Sequence, residues 1–296
     1  MSKPLHSPLH KLVLVLLKIF LPSLAAIFLL LQNSQVSASK LPASSVPASA
    51  LPKQERPLRI AVAANFAPAL KILLADWPDK SRIDYQIISA ATGTLYQQIS
   101  HGAPFDLFLS ADDSRPRQLE QAKLIVKNSR KTYAFGQIAL WSATEPLQDL
   151  GSLNTHAEHL AIANPTTAPY GKAAQQALSH LGLWSKLENQ LVTGININQT
   201  FQQVRSQAVS LGIVAYSQLK INHFQGVLIP RQYYQPIAQQ LAIIKSSSQV
   251  TLAQRLSDFI LQTSSQNKLQ QLGYLAATTP KRPIKQSATD SLKVRG

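Results

Sequence analysis

The sequence predicts an α/β fold of two lobes, each a mostly parallel sheet flanked by helices, with the chain crossing between them twice; 296 residues are enough for both cores. Three observations carry this prediction. Short apolar strand patterns run straight into a tight turn and a helix pattern, and this unit recurs along the chain. A long β-rich stretch near the middle can take the chain out of one sheet and into another. A late apolar strand can bring it back.

In order, LRIAVAANF (58–66) is an apolar strand ending near Asn65, and the following APALKILLADW has helical spacing at Leu70, Leu73, Leu74 and Trp77. IDYQIISA (83–90) leads through Thr92-Gly93 into the helix pattern TLYQQISHG, and PFDLFLSA (104–111) leads through Asp112-Asp113 into a helix near Arg117 to Ala122. Successive strand-to-helix units imply parallel pairing with both faces of the sheet covered. KTYAFGQIALWSA (131–143) is the outward crossing. The second lobe opens with the strand HLAIANP (159–165) and the loop and helix of TTAPYGKAAQQALSHLGL. LVTGINI then precedes a helix from Gln199 to Ala208, and LGIVAYSQL (211–219) reads as one buried strand. IAQQLAIIKSS returns to the first lobe, and VTLAQRLSDFILQT is an amphipathic helix with Leu252, Leu256, Ile260 and Leu261 on one side. These elements assign residues 58–137 and 236–277 to lobe I and 138–235 to lobe II. In open α/β sheets a ligand cleft is expected at the carboxyl ends of the strands, here between the lobes.

The ends have a different character. Residues 1–38 have the layout of a secretory signal peptide: Lys3, Lys11 and Lys18, an uncharged run from Ile19 to Leu31, and the small-residue site Val36-Ser37-Ala38. An uncleaved membrane anchor over Leu12 to Leu31 is the competing reading, weakened by Lys18 and Pro22. Residues 39–57, rich in Pro, Ala and Ser, are expected to form a flexible linker, and residues 278–296 a basic disordered tail.

The formal net charge of +15 at first suggests nucleic acid or an anionic membrane. Its distribution argues otherwise. Residues 1–54 hold five Lys and no acid, and residues 280–296 hold five basic residues against Asp290. Residues 55–279 keep 19 basic against 13 acidic residues, or +6. The aromatic residues are not interleaved with the basic ones, so no nucleic-acid partner is expected. The absence of cysteine excludes disulfides, thiolate metal sites and cysteine nucleophiles.

Chemistry concentrates where strands turn into helices: Ala64-Asn65, Thr92-Gly93, Pro169-Tyr170-Gly171 and Ile197-Asn198. None of these turns contains Lys or Arg. Each can present unpaired N–H groups from the first turn of a helix, beside an amide, a hydroxyl or a phenol, and together they describe an anion site built from dipoles and neutral donors. Taken one at a time, Asn65, Thr92 and Asn198 also read as ordinary N-caps. No enzyme is indicated. His6, His10, His101, His156, His159, His180 and His223 are scattered, Asp112-Asp113 read better as helix caps than as a catalytic pair, and neither a glycine-rich phosphate fingerprint nor a nucleophile elbow is present.

At these same turns the chain resembles the molybdate-binding periplasmic proteins of ABC transporters, which have the two-lobed type II periplasmic-binding-protein fold. The matching segments are AVAANF (61–66), ATGTLYQQI followed by GAPFDLFLSADD (91–113), SRKTYAFGQIALWSA (129–143), IANPTTAPYGKAAQQAL (162–178), LGIVAYSQL (211–219) and QYYQPIAQQLAIIK (232–245). The resemblance implies an oxyanion, molybdate or tungstate, held by Ala64, Asn65, Thr92, Tyr170 and Ile197. Ala64 stands where a hydroxyl residue can occur, so it would offer only its backbone N–H. Thr92 replaces a common serine with the same donor. A second branch of the family has a tyrosine directly after the LGIV strand; Ala215 takes that place here, and Tyr216, on the opposite face of a continuing strand, would pack rather than bind. The resemblance further implies a periplasmic monomer without a cofactor that hands its ligand to a membrane permease. Another oxyanion or a small organic anion is the alternative ligand.

Overall fold

The computed structural model describes residues 56–155 and 158–277. The expected signal peptide, nearly all of the expected linker, His156 and the basic tail lie outside the described residues. Arg56 and Pro57, expected to belong to the linker, are within them, and Arg56 is tied down: its guanidinium donates to both oxygens of the fully buried Asp106 at 2.7 and 2.9 Å.

Strands β1 (Leu58–Ala63), β2 (Tyr85–Ala90) and β3 (Leu107–Leu109) alternate with helices α1 (Ala67–Leu74), α2 (Thr92–Ser100) and α3 (Ser114–Gln121), and β4 (Lys131–Gly136) follows. The next strand, β5 (Ile138–Trp141), already belongs to a second sheet. That sheet is completed by β6 (Leu160–Ala163), β7 (Leu191–Gly194), β8 (Leu211–Ala215) and β9 (Val227–Leu228), with helices α4 (Ser152–Thr155), α5 (Pro169–His180), α6 (Trp184–Leu187), α7 (Ile197–Arg205) and α8 (Tyr216–Ile221) between them. β10 (Ile237–Ile243) returns to the first sheet, and α9 (Val250–Leu261) and α10 (Thr263–Gln271) close the described chain. The strand orders are β2-β1-β3-β10-β4 and β7-β6-β8-β5-β9. In the first sheet β2, β1 and β3 are parallel, and β10 runs antiparallel to both β3 and β4. In the second β7, β6 and β8 are parallel, and β5 runs antiparallel to both β8 and β9.

The period-two alternation of side chains places the core on both faces of each sheet. Ile60 and Val62 of β1 pack with Leu70, Leu73 and Leu74 of α1 and with Leu256 and Ile260 of α9. Ala61 between them joins Leu95 and Ile99 of α2 and Leu119 of α3 on the other face. Each fully buried leucine or isoleucine contributes roughly 1.5–3 kcal/mol over leaving it exposed. In the second sheet Leu160 and Ile162 meet Ala173, Ala174 and Ala177 of α5, whereas Ala161, Ala139 and Val214 face Phe201 and Val204 of α7. The small residues let α5 approach β6 closely. A Cβ on Gly171 would lie 2.1 Å from the Ala163 carbonyl oxygen.

Two elements differ from the sequence reading. The segment 211–219 is not one strand: β8 ends at Ala215 and Tyr216 opens α8, because Gln218 folds back and its Oε1 accepts the Ala215 N–H at 3.1 Å, closing the first turn. Helix α10 was not expected, since TSSQNKLQQ lacks apolar periodicity and buries only Ser265 and Leu269. Among the described residues, no helix is long and apolar enough to cross a membrane.

Candidate oxyanion site

The carboxyl ends of β1 and β2 in one sheet, and of β6 and β7 in the other, carry the four turns singled out by the sequence. Hydrogen bonds join the two lobes directly, among them Gly93 N–H to the Thr167 carbonyl at 2.9 Å, and Asn65 Nδ2 and Gln239 Nε2 to the Tyr170 hydroxyl oxygen at 3.2 and 3.0 Å. Ala64, Ala91 and Ala111 of the first lobe share one buried cluster with Ala168, Tyr170, Ile197 and Ala215 of the second. Asn65 and Thr92 are equally buried. The structure thus brings Ala64, Asn65, Thr92, Tyr170 and Ile197 into one region.

The helices entering this region are left open at their amino ends. The N-cap positions of α1, α2 and α5 are Phe66, Ala91 and Ala168, none of which makes a side-chain cap bond. Only α7 is capped, by Asn196, whose side chain accepts the Asn198 and Gln199 N–H groups at 2.9 and 3.1 Å. Asn65, Thr92 and Asn198 are therefore not N-caps. Among the described residues, the backbone N–H groups of Asn65, Thr92, Tyr170 and Ile197 have no hydrogen-bond partner. Such groups are costly to bury unpaired, so a buried set of them asks for an acceptor.

The side chains divide into donors and supports. The Thr92 hydroxyl accepts the Ala111 N–H at 3.0 Å, which leaves its own proton to give. The Tyr170 hydroxyl oxygen accepts from Asn65 Nδ2 and from Gln239 Nε2 at 3.0 Å, which likewise leaves its proton. Burial pushes the Tyr170 phenol well above its ordinary pKa, as it does Tyr133, so both remain neutral donors.

Two expected roles change. The Ala64 N–H, which the resemblance offers to the anion, donates to the Ala90 carbonyl at 3.0 Å, extending the β1 and β2 pairing by one residue. Ala64 is buried in this region without a free donor. The Asn65 amide has both Nδ2 protons committed, one to Tyr170 and one to Gln239 Oε1 at 2.8 Å, so its free donor is the main chain. Asn198 instead accepts from Gln218 Nε2 at 2.7 Å, which steadies the start of α7. Tyr216, at the head of α8, joins the cluster around Trp141 and Phe201.

Sequence reasoning missed Gln239, Tyr133 and Tyr274. Gln239 is fully buried and accepts from Tyr133 at 3.0 Å, and Tyr274 donates to the Asn65 carbonyl at 2.9 Å. A glutamine pair inside the otherwise apolar strand IAQQLAII was the available signal, because a buried polar residue is more informative than a buried apolar one.

Beside the interlobe contact is an open groove of about 380 Å³ lined by Arg115, Pro165, Thr166, Lys172 and Gln175. Arg115 is held by Asp112 at 2.6 Å and reaches the Thr166 carbonyl at 3.1 Å. Asp112 Oδ1 also accepts the Arg115 N–H at 2.9 Å, so this carboxylate serves the first turn of α3. Among the described residues, no cluster of three His, Asp or Glu could hold a metal ion.

A family profile described as bacterial extracellular solute-binding protein matches residues 58–275. The chain belongs to this family. It is a family of solute carriers rather than of enzymes. The chain is 37% identical over 230 residues to the molybdate-binding protein ModA of Azotobacter vinelandii, covering 75% of this chain and 90% of that relative. It is 36% identical over 219 residues to ModA of Rhodobacter capsulatus, covering 73% and 86%. The solved periplasmic molybdate-binding protein of A. vinelandii shares the fold with a TM-score of 0.70 at 33% identity, over 74% of this chain and 98% of that one. The sulfate-binding protein SubI of Mycobacterium tuberculosis, at 11% identity and a TM-score of 0.62, shares the fold alone.

Proposed function

We propose that this solute-binding protein captures molybdate, and tungstate in the same way, between lobe I (58–137 and 236–277) and lobe II (138–235), and delivers it to the permease of an ABC transporter. The observation that carries the reading is the set of donors without partners: the N–H groups of Asn65, Thr92 and Ile197, with the hydroxyl protons of Thr92 and Tyr170, drawn from both lobes. A dianion with four oxygens cannot be buried without such partners, and charge-assisted hydrogen bonds of about 1.5–3 kcal/mol each offset its lost hydration. Neutral donors leave no bare cation in the emptied cleft, so release is not opposed by an unpaired Lys or Arg. Both halves of the site come from one chain, so the protein acts as a monomer. Export to the periplasm by residues 1–38 completes the reading.

Selectivity against sulfate follows from size, because donors fixed for long metal–oxygen bonds reach a smaller tetrahedron poorly. Calorimetric titration of the purified protein should show molybdate and tungstate binding alike, and sulfate at least about tenfold weaker, the equivalent of ~1.4 kcal/mol. Equal or tighter binding of sulfate or of a small organic anion would replace the ligand while keeping the cleft.

A further inference from the structure

Gln239 sits where β10 has just re-entered the first sheet, at a register shift: Gln239 pairs with Ala134 and Gln240 with Thr132, leaving Tyr133 as the extra residue on β4. Bulges of this kind re-aim side chains next to functional sites. Here the fully buried Gln239 amide lies among three polar side chains. Its Oε1 accepts from Asn65 Nδ2 at 2.8 Å and from Tyr133 at 3.0 Å, and its Nε2 donates to the Tyr170 oxygen at 3.0 Å. The Tyr133 hydroxyl also lies 3.1 Å from the Ser110 carbonyl, another acceptor for its single proton.

The pattern has one consistent direction. An amide has an acceptor end and a donor end, and the Asn65 NH₂ requires the acceptor end, which turns Nε2 towards Tyr170. The Tyr170 oxygen then accepts twice, from Gln239 and from Asn65, so both its lone pairs are engaged. Its proton has to point away from both amides, and among the described residues no acceptor takes it. The Asn65 amide keeps no proton for a ligand, and Gln239 Nε2 gives one of its two protons to the Tyr170 oxygen.

We propose that Gln239 is a positioning residue for the bound anion: it fixes the Tyr170 oxygen as a double acceptor, so that the phenol proton is presented to the cleft, and it fixes Asn65 so that its free backbone N–H lies alongside. This rests on the oxyanion reading of the site. Gln239→Met and Tyr170→Phe, singly and together, test it in two measurements, thermal unfolding without anion and calorimetric titration with molybdate. Gln239→Met should lower molybdate affinity by about tenfold in the otherwise unaltered protein, and by less than about twofold when Tyr170 is already Phe. The shifts in melting temperature of the anion-free variants should be non-additive in the same sense. Affinity losses that multiply, or melting shifts that add, overturn the proposal. Where Gln239→Met does not fold, Gln239→Glu replaces it: the introduced carboxylate takes the Tyr170 proton, so affinity falls at alkaline pH and recovers as the acid is protonated. A loss independent of pH, or a pH dependence that persists with Tyr170→Phe, overturns the proposal. An unaltered protein that takes up no molybdate retires the ligand instead, and the anion-free melting cycle then decides on the clamp by itself.

Discussion

The two lobes repeat one plan and use it differently. Their strand orders correspond position by position, β1 with β6, β2 with β7, β3 with β8, and the antiparallel β10 with β5. The candidate site uses the turns after the corresponding pairs, Asn65 and Thr92 after β1 and β2, Tyr170 and Ile197 after β6 and β7. In lobe I the polar groups are tied to their own lobe: Thr92 to Ala111, Asn65 to Gln239 and Tyr274. In lobe II the Tyr170 phenol finds its two partners, Asn65 and Gln239, on the other side of the cleft. One half is thus a finished receptor, and the other is completed only by contact with it. The same sheet topology fixes where donors can stand but not which of them are rigid.

The largest test of this contrast is alkaline pH. Burial raises the pKa of Tyr133 and Tyr274 in lobe I and of Tyr170 and Tyr234 in lobe II. For a group whose folded pKa is raised, the stabilisation is complete below the unfolded value, near 10 for tyrosine, and is lost as pH rises beyond it, because the unfolded chain releases the proton first. Four such phenols should make unfolding easier by up to about 5 kcal/mol per pH unit above pH ~10, measured by denaturant titration. Replacing Tyr170 by Phe should remove about one quarter of that slope; an unchanged slope would show that the Tyr170 phenol is not held as the lobe I phenols are. Next comes Gly136→Ala. Its Cβ would stand 2.3 Å from the Tyr170 oxygen and 2.8 Å from Cζ, so the phenol must leave its seat. A loss of about 3 kcal/mol in molybdate affinity is expected, from the clash and the lost hydrogen bonds together, with lobe I still folded by circular dichroism. Thr92→Val is smaller and confined to the finished half: it removes the hydroxyl proposed to donate to the anion and the acceptor of the Ala111 N–H, for about 1–2 kcal/mol in binding. If it weakens binding more than Gly136→Ala, the completed half, not the completing one, dominates recognition.

The alternating strands and helices were legible because their signals are local: the spacing of Leu70, Leu73 and Leu74, or the apolar run at 58–63, needs no distant partner. The crossing at 131–143 was legible too, since a stretch of that length exceeds one ordinary strand, and it resolves into β4 and β5 in different sheets. What failed locally was the end of β8, where LGIVAYSQL keeps an apolar pattern through a helix start that depends on the Gln218 side chain. The positions of the site could be read from the turns, whereas the roles within it could not. Asn65 meets Tyr170 across 105 residues and Gln239 across 174, and whether an amide gives its protons to a ligand or to a neighbour is decided only by such encounters.

Thr166 and Thr167 are neighbours on one loop, and their carbonyls receive Arg115 and Gly93 from the opposite lobe. The two bonds are therefore arranged in parallel at one edge, like adjacent teeth of a zip. A change that moves this loop would strain both bonds at once, whereas the Tyr170 hydroxyl is held from a separate helix. The two lobes are thus fastened at two separable places, one on a loop and one on a helix.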